Sequence, residues 1–141
     1  MPLNKNYQGF SLIEIIVAFS ILATLSIGII SAFPTGLSIN KSAENATLAS
    51  YLAQQKIEEI YSLGYDNVAT GTIEVKNRLS TSTTDYLYNF QRETIVTYVD
   101  ENLQNSLTDV GGKKISTTIY YTSPIFKEEK AYNITTIINS L

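Results

Sequence analysis

The chain of 141 residues contains no cysteine, no histidine and no tryptophan, and only three prolines. Without cysteine it has no disulfide, no thiol nucleophile and no thiolate ligand for a metal ion. Without histidine it lacks a Ser-His-Asp triad and the commoner zinc sites. The sequence also contains no glycine-rich phosphate loop, Gly-x-Ser-x-Gly elbow or EF-hand spacing. We therefore predict a protein that is not an enzyme and that has no cofactor.

Basic residues are scarce as well. Ten Lys and Arg residues face 13 Asp and Glu residues, for a formal net charge of −3, and no basic cluster of the kind that follows nucleic-acid phosphates is present. We interpret the one adjacent basic pair, Lys113 and Lys114, as two solvated charges at the start of a strand. Nucleic acid is therefore not an expected partner.

The acidic residues do not predict a metal site either. Asp100, Glu101 and Asp109 lie in one loop and carry the oxygen ligands that Ca²⁺ prefers. Their spacing matches no calcium-binding pattern, so a solvated charged loop is the better interpretation. We assign no metal site to this sequence.

One long apolar segment dominates what the sequence does contain. From Phe10 to Phe33 the only ionisable side chain is Glu14. A helix of about 24 residues spans roughly 36 Å, and a bilayer core is about 30 Å thick. The segment is therefore long enough to cross a membrane. A carboxylate inside it costs about 2.5–3.5 kcal/mol on insertion scales, which calls for a functional reason.

The junction Gly-Phe-Ser-Leu-Ile-Glu at residues 9–14, after a short leader with Lys5, resembles the class III signal of type IV pilins. Pseudopilins of type II secretion and competence systems have the same signal. In this family a membrane peptidase cleaves after the glycine, the new N-terminal residue is methylated, and a carboxylate five residues past the glycine guides assembly. The resemblance implies cleavage between Gly9 and Phe10, N-methylation of Phe10, and Glu14 as the assembly carboxylate.

Three interpretations of this N-terminal region compete. A conventional secretory signal is cleaved after its apolar core, and no convincing small-x-small site follows this one. An uncleaved signal anchor explains the apolar run but leaves Gly9 and Glu14 without a reason. The class III signal explains all three features, because it is cleaved before the apolar segment. Lys5 in the leader then predicts that the N-terminus lies in the cytoplasm and that the part of the chain after the apolar segment lies outside.

The charge of the mature N-terminus suggests a mechanism for Glu14. The singly methylated α-ammonium group of Phe10 remains cationic and attracts a nearby carboxylate. An incoming subunit that supplies this ammonium group would pair with Glu14 and set the axial register between subunits. An intrachain pair is the alternative, because Phe10 is only about one helical turn from Glu14.

Pro34 lacks the N–H that an interior helical residue donates, so we predict a kink or an opened turn near residues 30–34. The alternative is that the first helix ends there and a second helix starts after Gly36. From Leu37 to about Leu63 the pattern is helical and amphipathic, with Gly64 at its end. Its apolar stripe consists of Ala46, Ala49, Ala53, Ile57, Ile60 and Gly64, and Leu48 and Leu52 widen it. Along the stripe, small alanines are followed by larger isoleucines before the glycine at the end.

The remaining residues predict a small β-sheet. β-branched and aromatic residues are concentrated in three segments: Gln91–Val99, Lys114–Thr122 and Tyr132–Ile138. In the second segment Ile115, Thr117, Ile119 and Tyr121 are predicted to share one face. Strands so close in sequence favour an antiparallel meander, and its apolar face would cover the helix stripe. Residues 72–76 alternate weakly as a short strand, and residues 80–85 read as a polar loop.

We therefore predict an α+β fold, in which a long N-terminal helix with a transmembrane half and an amphipathic half carries a small antiparallel β-sheet head. The predicted domains are a leader peptide (1–9), a transmembrane or filament-core helix (10–34), an amphipathic helix (35–64) and a β-sheet head (65–141). Residues 65–89 of the head are predicted to form a variable loop.

The resemblance implies a structural filament subunit. The missing disulfide favours a minor pilin or pseudopilin over a major pilin, and residues 51–60 resemble the helix of V-type minor pilins and I-type pseudopilins. Implied partners are other pilin subunits, the prepilin peptidase, the assembly platform of a pilus or secretion machinery, and membrane lipid before assembly. The implied location is a single pass in the cytoplasmic membrane, then an extracellular filament or periplasmic pseudopilus. The alternative is a tip adhesin or DNA-uptake binding subunit of such a filament.

Overall fold

The computed structural model describes residues 9–140. The predicted leader, Lys5 included, lies outside the described residues except for Gly9. Contacts within the chain divide it into two units, one ending at Ser38 and one beginning at Ile39. Each unit is described by itself below.

One α-helix, α1 (Leu12–Leu63), contains both Pro34 and Gly36. The alternative with a separate second helix after Gly36 is therefore wrong. Proline lacks an N–H and therefore removes one hydrogen bond from the helix. The helix can continue past it because every other helical residue contributes its own backbone hydrogen bond. The carbonyl of Pro34 also accepts a hydrogen bond from the Ser38 hydroxyl at 3.0 Å. The kink near residues 30–34 stays a prediction.

In the unit that ends at Ser38, the α1 side chains are exposed almost throughout, although most of them are apolar. Among the described residues, α1 is the one helix long and apolar enough to cross a membrane. The hydroxyls of Ser20, Thr24 and Ser31 each donate to the carbonyl four residues earlier, at 2.8–2.9 Å. These polar groups therefore need no water, which suits an apolar surrounding.

The second unit contains five strands: β1 (Gly71–Arg78), β2 (Phe90–Val99), β3 (Asn105–Ser106), β4 (Gly112–Thr122) and β5 (Glu129–Asn139). They form an antiparallel sheet with the order β1-β2-β4-β5, and β3 also pairs with β2. All three predicted strands are present as β2, β4 and β5, each slightly longer than predicted. Consecutive long strands are neighbours, as expected for a meander.

The predicted variable loop, residues 65–89, is more ordered than we expected. It contains β1, an edge strand of eight residues, and the short 3₁₀ turns Tyr65–Asn67 and Tyr86–Asn89. Only part of β1 was visible in the sequence, because its pairing with β2 shifts register twice and interrupts the alternation. Residues 80–85 contain no helix or strand, as predicted.

The core of this unit lies between α1 and one face of the sheet. Four of the six residues along the predicted stripe are buried, namely Ala49, Ala53, Ile57 and Ile60, and so is Leu52, which widens the stripe. They contribute to two clusters, one with Phe90, Ile119 and Tyr121, the other with Val68, Val96, Ile115 and Ile138. The predicted inner face of β4 is confirmed, because Ile115, Thr117, Ile119 and Tyr121 are all buried. The predicted α+β architecture, a long N-terminal helix with a small antiparallel sheet, is likewise confirmed.

Candidate functional site

The predicted processing site lies just before α1. Gly9 and Phe10 precede the helix, which begins at Leu12. The Ser11 carbonyl, just before the helix, accepts a hydrogen bond of 3.2 Å from the Ile15 N–H. Both residues are exposed, and among the described residues no atom comes within 4 Å of where a Gly9 Cβ would lie. The peptide bond between them is thus outside the helical hydrogen-bond ladder, in a conformation that leaves it accessible.

Glu14 lies in the first turn of α1, where a carboxylate interacts favourably with the helix dipole. It borders a shallow groove of about 450 Å³ on the helix surface. The rest of this groove is apolar, formed by Phe10, Ile15, Ala18, Phe19 and Leu22. None of the ion pairs between described residues involves Glu14. Its carboxylate is therefore exposed on an otherwise apolar surface.

The predicted site residues differ in what the structure does with them. Gly9, Phe10 and Glu14 lie together at the start of α1. Pro34 lies within the same helix, about 30 Å from Glu14 at the usual helical rise. Pro34 can therefore affect the course of the helix but does not contribute to the site around Glu14.

Lys113 is a residue whose importance we misjudged from the sequence. Its side chain is buried, with 4% of its surface exposed, so the interpretation as a solvated charge is wrong. Its Nζ donates hydrogen bonds of 2.8 Å to the carbonyls of Tyr65 and Val68 and lies 4.1 Å from the centre of the Tyr65 ring. The alternation of β4 could have revealed this, because position 113 shares the inner face with Ile115.

Beside Lys113, the Tyr65 hydroxyl donates a hydrogen bond to Asp109. Partial burial and this bond raise the pKa of Tyr65 to about 12. The same bond, together with one from the Gly111 N–H at 3.0 Å, holds the pKa of Asp109 below its ordinary value. The carboxylate of Asp100 accepts from the N–H groups of Asn102 and Gln104. Two of the three carboxylates considered for calcium, Asp100 and Asp109, therefore hold their own loop in shape.

A larger concave surface, here called the head groove, lies between α1 and the end of β4. It encloses about 900 Å³, and its apolar lining is formed by Leu48, Tyr51, Tyr86, Phe90 and Pro124. Lys41, Glu44 and several amide and hydroxyl side chains complete its rim. Sequence reasoning missed this groove because its walls come from three segments that are distant in the chain.

Comparison with known protein families matches residues 4–30 to the prokaryotic N-terminal methylation motif. The match contains Gly9, Phe10 and Glu14, and this class III signal is typical of type IV pilins and pseudopilins. The motif generally implies a prepilin peptidase and other pilins as partners. Searches among curated proteins and among solved structures found no match. The chain therefore carries the prokaryotic N-terminal methylation motif, a class III signal, at the start of a pilin-like α+β architecture.

Proposed function

We propose that this protein is a structural subunit, a minor pilin or pseudopilin, of a type IV pilus-like filament. The observation that carries the proposal is the methylation motif at residues 4–30, which runs directly into the exposed apolar part of α1. So much apolar surface needs either lipid or other helices around it. A subunit that waits in a membrane and then joins a helical bundle meets both environments.

The charge pattern supports a specific role for Glu14 in this assembly. From Phe10 to Asn40 the sequence contains no Lys or Arg. After cleavage, the cation available to Glu14 within this segment is therefore the α-ammonium group of a Phe10. We assign the pair to neighbouring subunits, in which the ammonium group of the incoming chain binds the carboxylate of the chain already in place. An unpaired carboxylate in an apolar bundle is costly, so a misplaced subunit is disfavoured.

In this proposal the precursor is a single-pass protein of the cytoplasmic membrane with its head outside. The prepilin peptidase removes the leader, and the assembly platform of a pilus or secretion machinery moves the mature subunit into the filament. The filament is extracellular or, for a pseudopilus, periplasmic. The lack of cysteine supports a minor pilin or pseudopilin, in keeping with the family's frequent use of a disulfide in major subunits.

The processing step can be tested by intact-mass and N-terminal analysis of the membrane-extracted protein, produced with and without the prepilin peptidase. We expect a product that begins at N-methyl-Phe10 when the peptidase is present and the full precursor when it is absent. Gly9→Val should block cleavage, whereas the control Gly28→Val, within α1, should be cleaved normally. A wild-type chain that still begins at Met1 with the peptidase, or that is cut beyond Phe33, would contradict the proposal.

A further inference from the structure

The head groove has the properties of a binding surface. Its size falls in the range of about 300–1,000 Å³ that is usual for ligand sites. Leu48, Phe90 and Pro124 form a buried or half-buried floor, while the rings of Tyr51 and Tyr86 are 62% and 64% exposed. Exposed aromatic rings beside a covered apolar floor are suited to receive an aliphatic side chain from another molecule.

A complementary feature lies on the loop between β2 and β4, residues 100–111, here called the distal loop. Leu107 on this loop is fully exposed, and Leu103 and Val110 are more than half exposed. The distal loop also contains three acidic residues and no basic one. It thus presents aliphatic side chains on a negatively charged segment.

The distal loop is held in shape before any partner arrives. Asp109 is bonded to Tyr65, and Asp100 accepts two backbone N–H groups of the loop. The short strand β3 pairs with the end of β2. Because these contacts already order the loop, its docking costs less conformational entropy than docking of a flexible segment.

The two features lie at opposite ends of the head. β4 begins at Gly112, next to the distal loop, and ends at Thr122, on the rim of the head groove. Its 11 residues span about 36 Å at the usual strand rise. The distal loop therefore cannot enter the groove of its own chain. It can enter the groove of a second copy.

Charge favours this arrangement over a symmetric contact between two distal loops, because three acidic residues on each loop would repel one another. In the groove, Lys41 pairs with Glu44 three residues away, and both side chains are more than half exposed. An exposed pair of this kind contributes little, about 0–1 kcal/mol. Lys41 can therefore turn to an acidic residue of an incoming loop at small cost.

From these observations we infer that the distal loop of one copy of this chain docks into the head groove of the next, with Leu107 between Tyr51 and Tyr86. Two different surfaces at opposite ends form a head-to-tail contact, which repeats into an open filament instead of closing into a dimer. This inference rests on the proposed function. One loop in one groove is a local contact, so we expect it to act together with helix packing that keeps the heads close.

The absence of cysteine makes a direct test possible. We would introduce Thr47→Cys, on the exposed lining of the head groove, and Thr108→Cys, beside Leu107, into one full-length chain, so that Leu107 and both tyrosines stay in place. Purified filaments would then be treated with a short bis-maleimide. The inference predicts a ladder of cross-linked multimers on denaturing gels. The pair Thr135→Cys and Thr108→Cys is the matched control, because Thr135 is exposed on β5 outside the groove, and it should remain monomeric.

A second variant tests the contact without a cross-linker. Leu107→Asp places a charge against the groove floor and should lower filament yield about tenfold, with normal cleavage at Gly9. Thr108→Asp, which adds the same charge to an exposed neighbour, should leave the yield unchanged. Cysteine-pair filaments that give no ladder, or normal yield for Leu107→Asp, would overturn this inference alone. A wild-type chain that is not processed or forms no filament would overturn the proposed function and this inference with it.

Discussion

At the scale of single side chains, Lys113 shows how the fold accommodates a buried charge. A buried ammonium group is tolerated when its protons have partners, and here two backbone carbonyls and the faces of two tyrosine rings surround it. The carbonyls of Tyr65 and Val68 belong to the turn that follows α1. The hydrogen bonds of Lys113 therefore connect the turn after α1 to the start of β4.

Replacement of this residue gives a prediction. Lys113→Met keeps the aliphatic volume but leaves the two carbonyls without their donor, so we expect the free energy of unfolding to fall by about 1–3 kcal/mol. Lys130→Met, the same change at an exposed position of β5, should change it by no more than about 0.5 kcal/mol. Urea unfolding of the full chain in detergent, followed by the loss of sheet circular dichroism, measures both. Equal effects of the two variants would contradict the role given to Lys113.

Helix α1 contacts the sheet partly through small side chains. Ala49 and Ala53 are completely buried, and both pack in the cluster that contains Phe90, Ile119 and Tyr121 of the sheet. Larger side chains follow at Ile57 and Ile60 and fill the second cluster. Residues of different size along one stripe thus contribute to two neighbouring clusters of the core.

An overpacked variant should separate the two elements. Ala49→Leu adds volume where none is free, and we expect a loss of about 1–3 kcal/mol in the free energy of unfolding. Ala43→Leu makes the same chemical change at an exposed position of the same helix and should cost no more than about 0.5 kcal/mol. Thermal unfolding in detergent, together with hydrogen exchange of the β4 amides, provides the readout. Unchanged exchange in Ala49→Leu would rule out the close contact.

At the scale of the whole molecule, the proposed function would place two separate requirements on the protein, insertion into a membrane and assembly into a filament. Glu14 distinguishes them. Glu14→Leu removes a charge that costs about 2.5–3.5 kcal/mol in a membrane, so we expect insertion to be retained or improved. Filament formation should nevertheless be lost, because the incoming ammonium group has no partner. Ile13→Leu, the neighbouring control, should insert and assemble normally.

The measurements are membrane fractionation for insertion and shearing of filaments from cells for assembly. If Glu14→Leu filaments were recovered at the wild-type yield, the pairing of Glu14 with a neighbouring subunit would be wrong. A loss of insertion and assembly together would instead favour the intrachain pair with Phe10, in which Glu14 matters within a single subunit.

Patterns between adjacent residues were sufficient for much of this protein. Four features depend on residues within a few positions of each other and are evident in the sequence alone. They are the methylation motif, the apolar run behind it, the helical stripe and the alternation in β4. β1 was only partly visible because its register shifts break the period of two. The continuity of α1 through Pro34 also required the structure, because a proline can either end a helix or be carried within it.

Other features exist because distant segments meet. Lys113 is buried because the turn at Tyr65–Asn67, more than forty residues earlier, lies over the start of β4. The head groove combines residues from α1, from the turn Tyr86–Asn89 and from the end of β4. No local period encodes such meetings, since they depend on how the sheet lies across the helix. Adjacent residues therefore specified the methylation motif and the apolar helix behind it, whereas packing between remote segments created the surface through which we expect the heads to join.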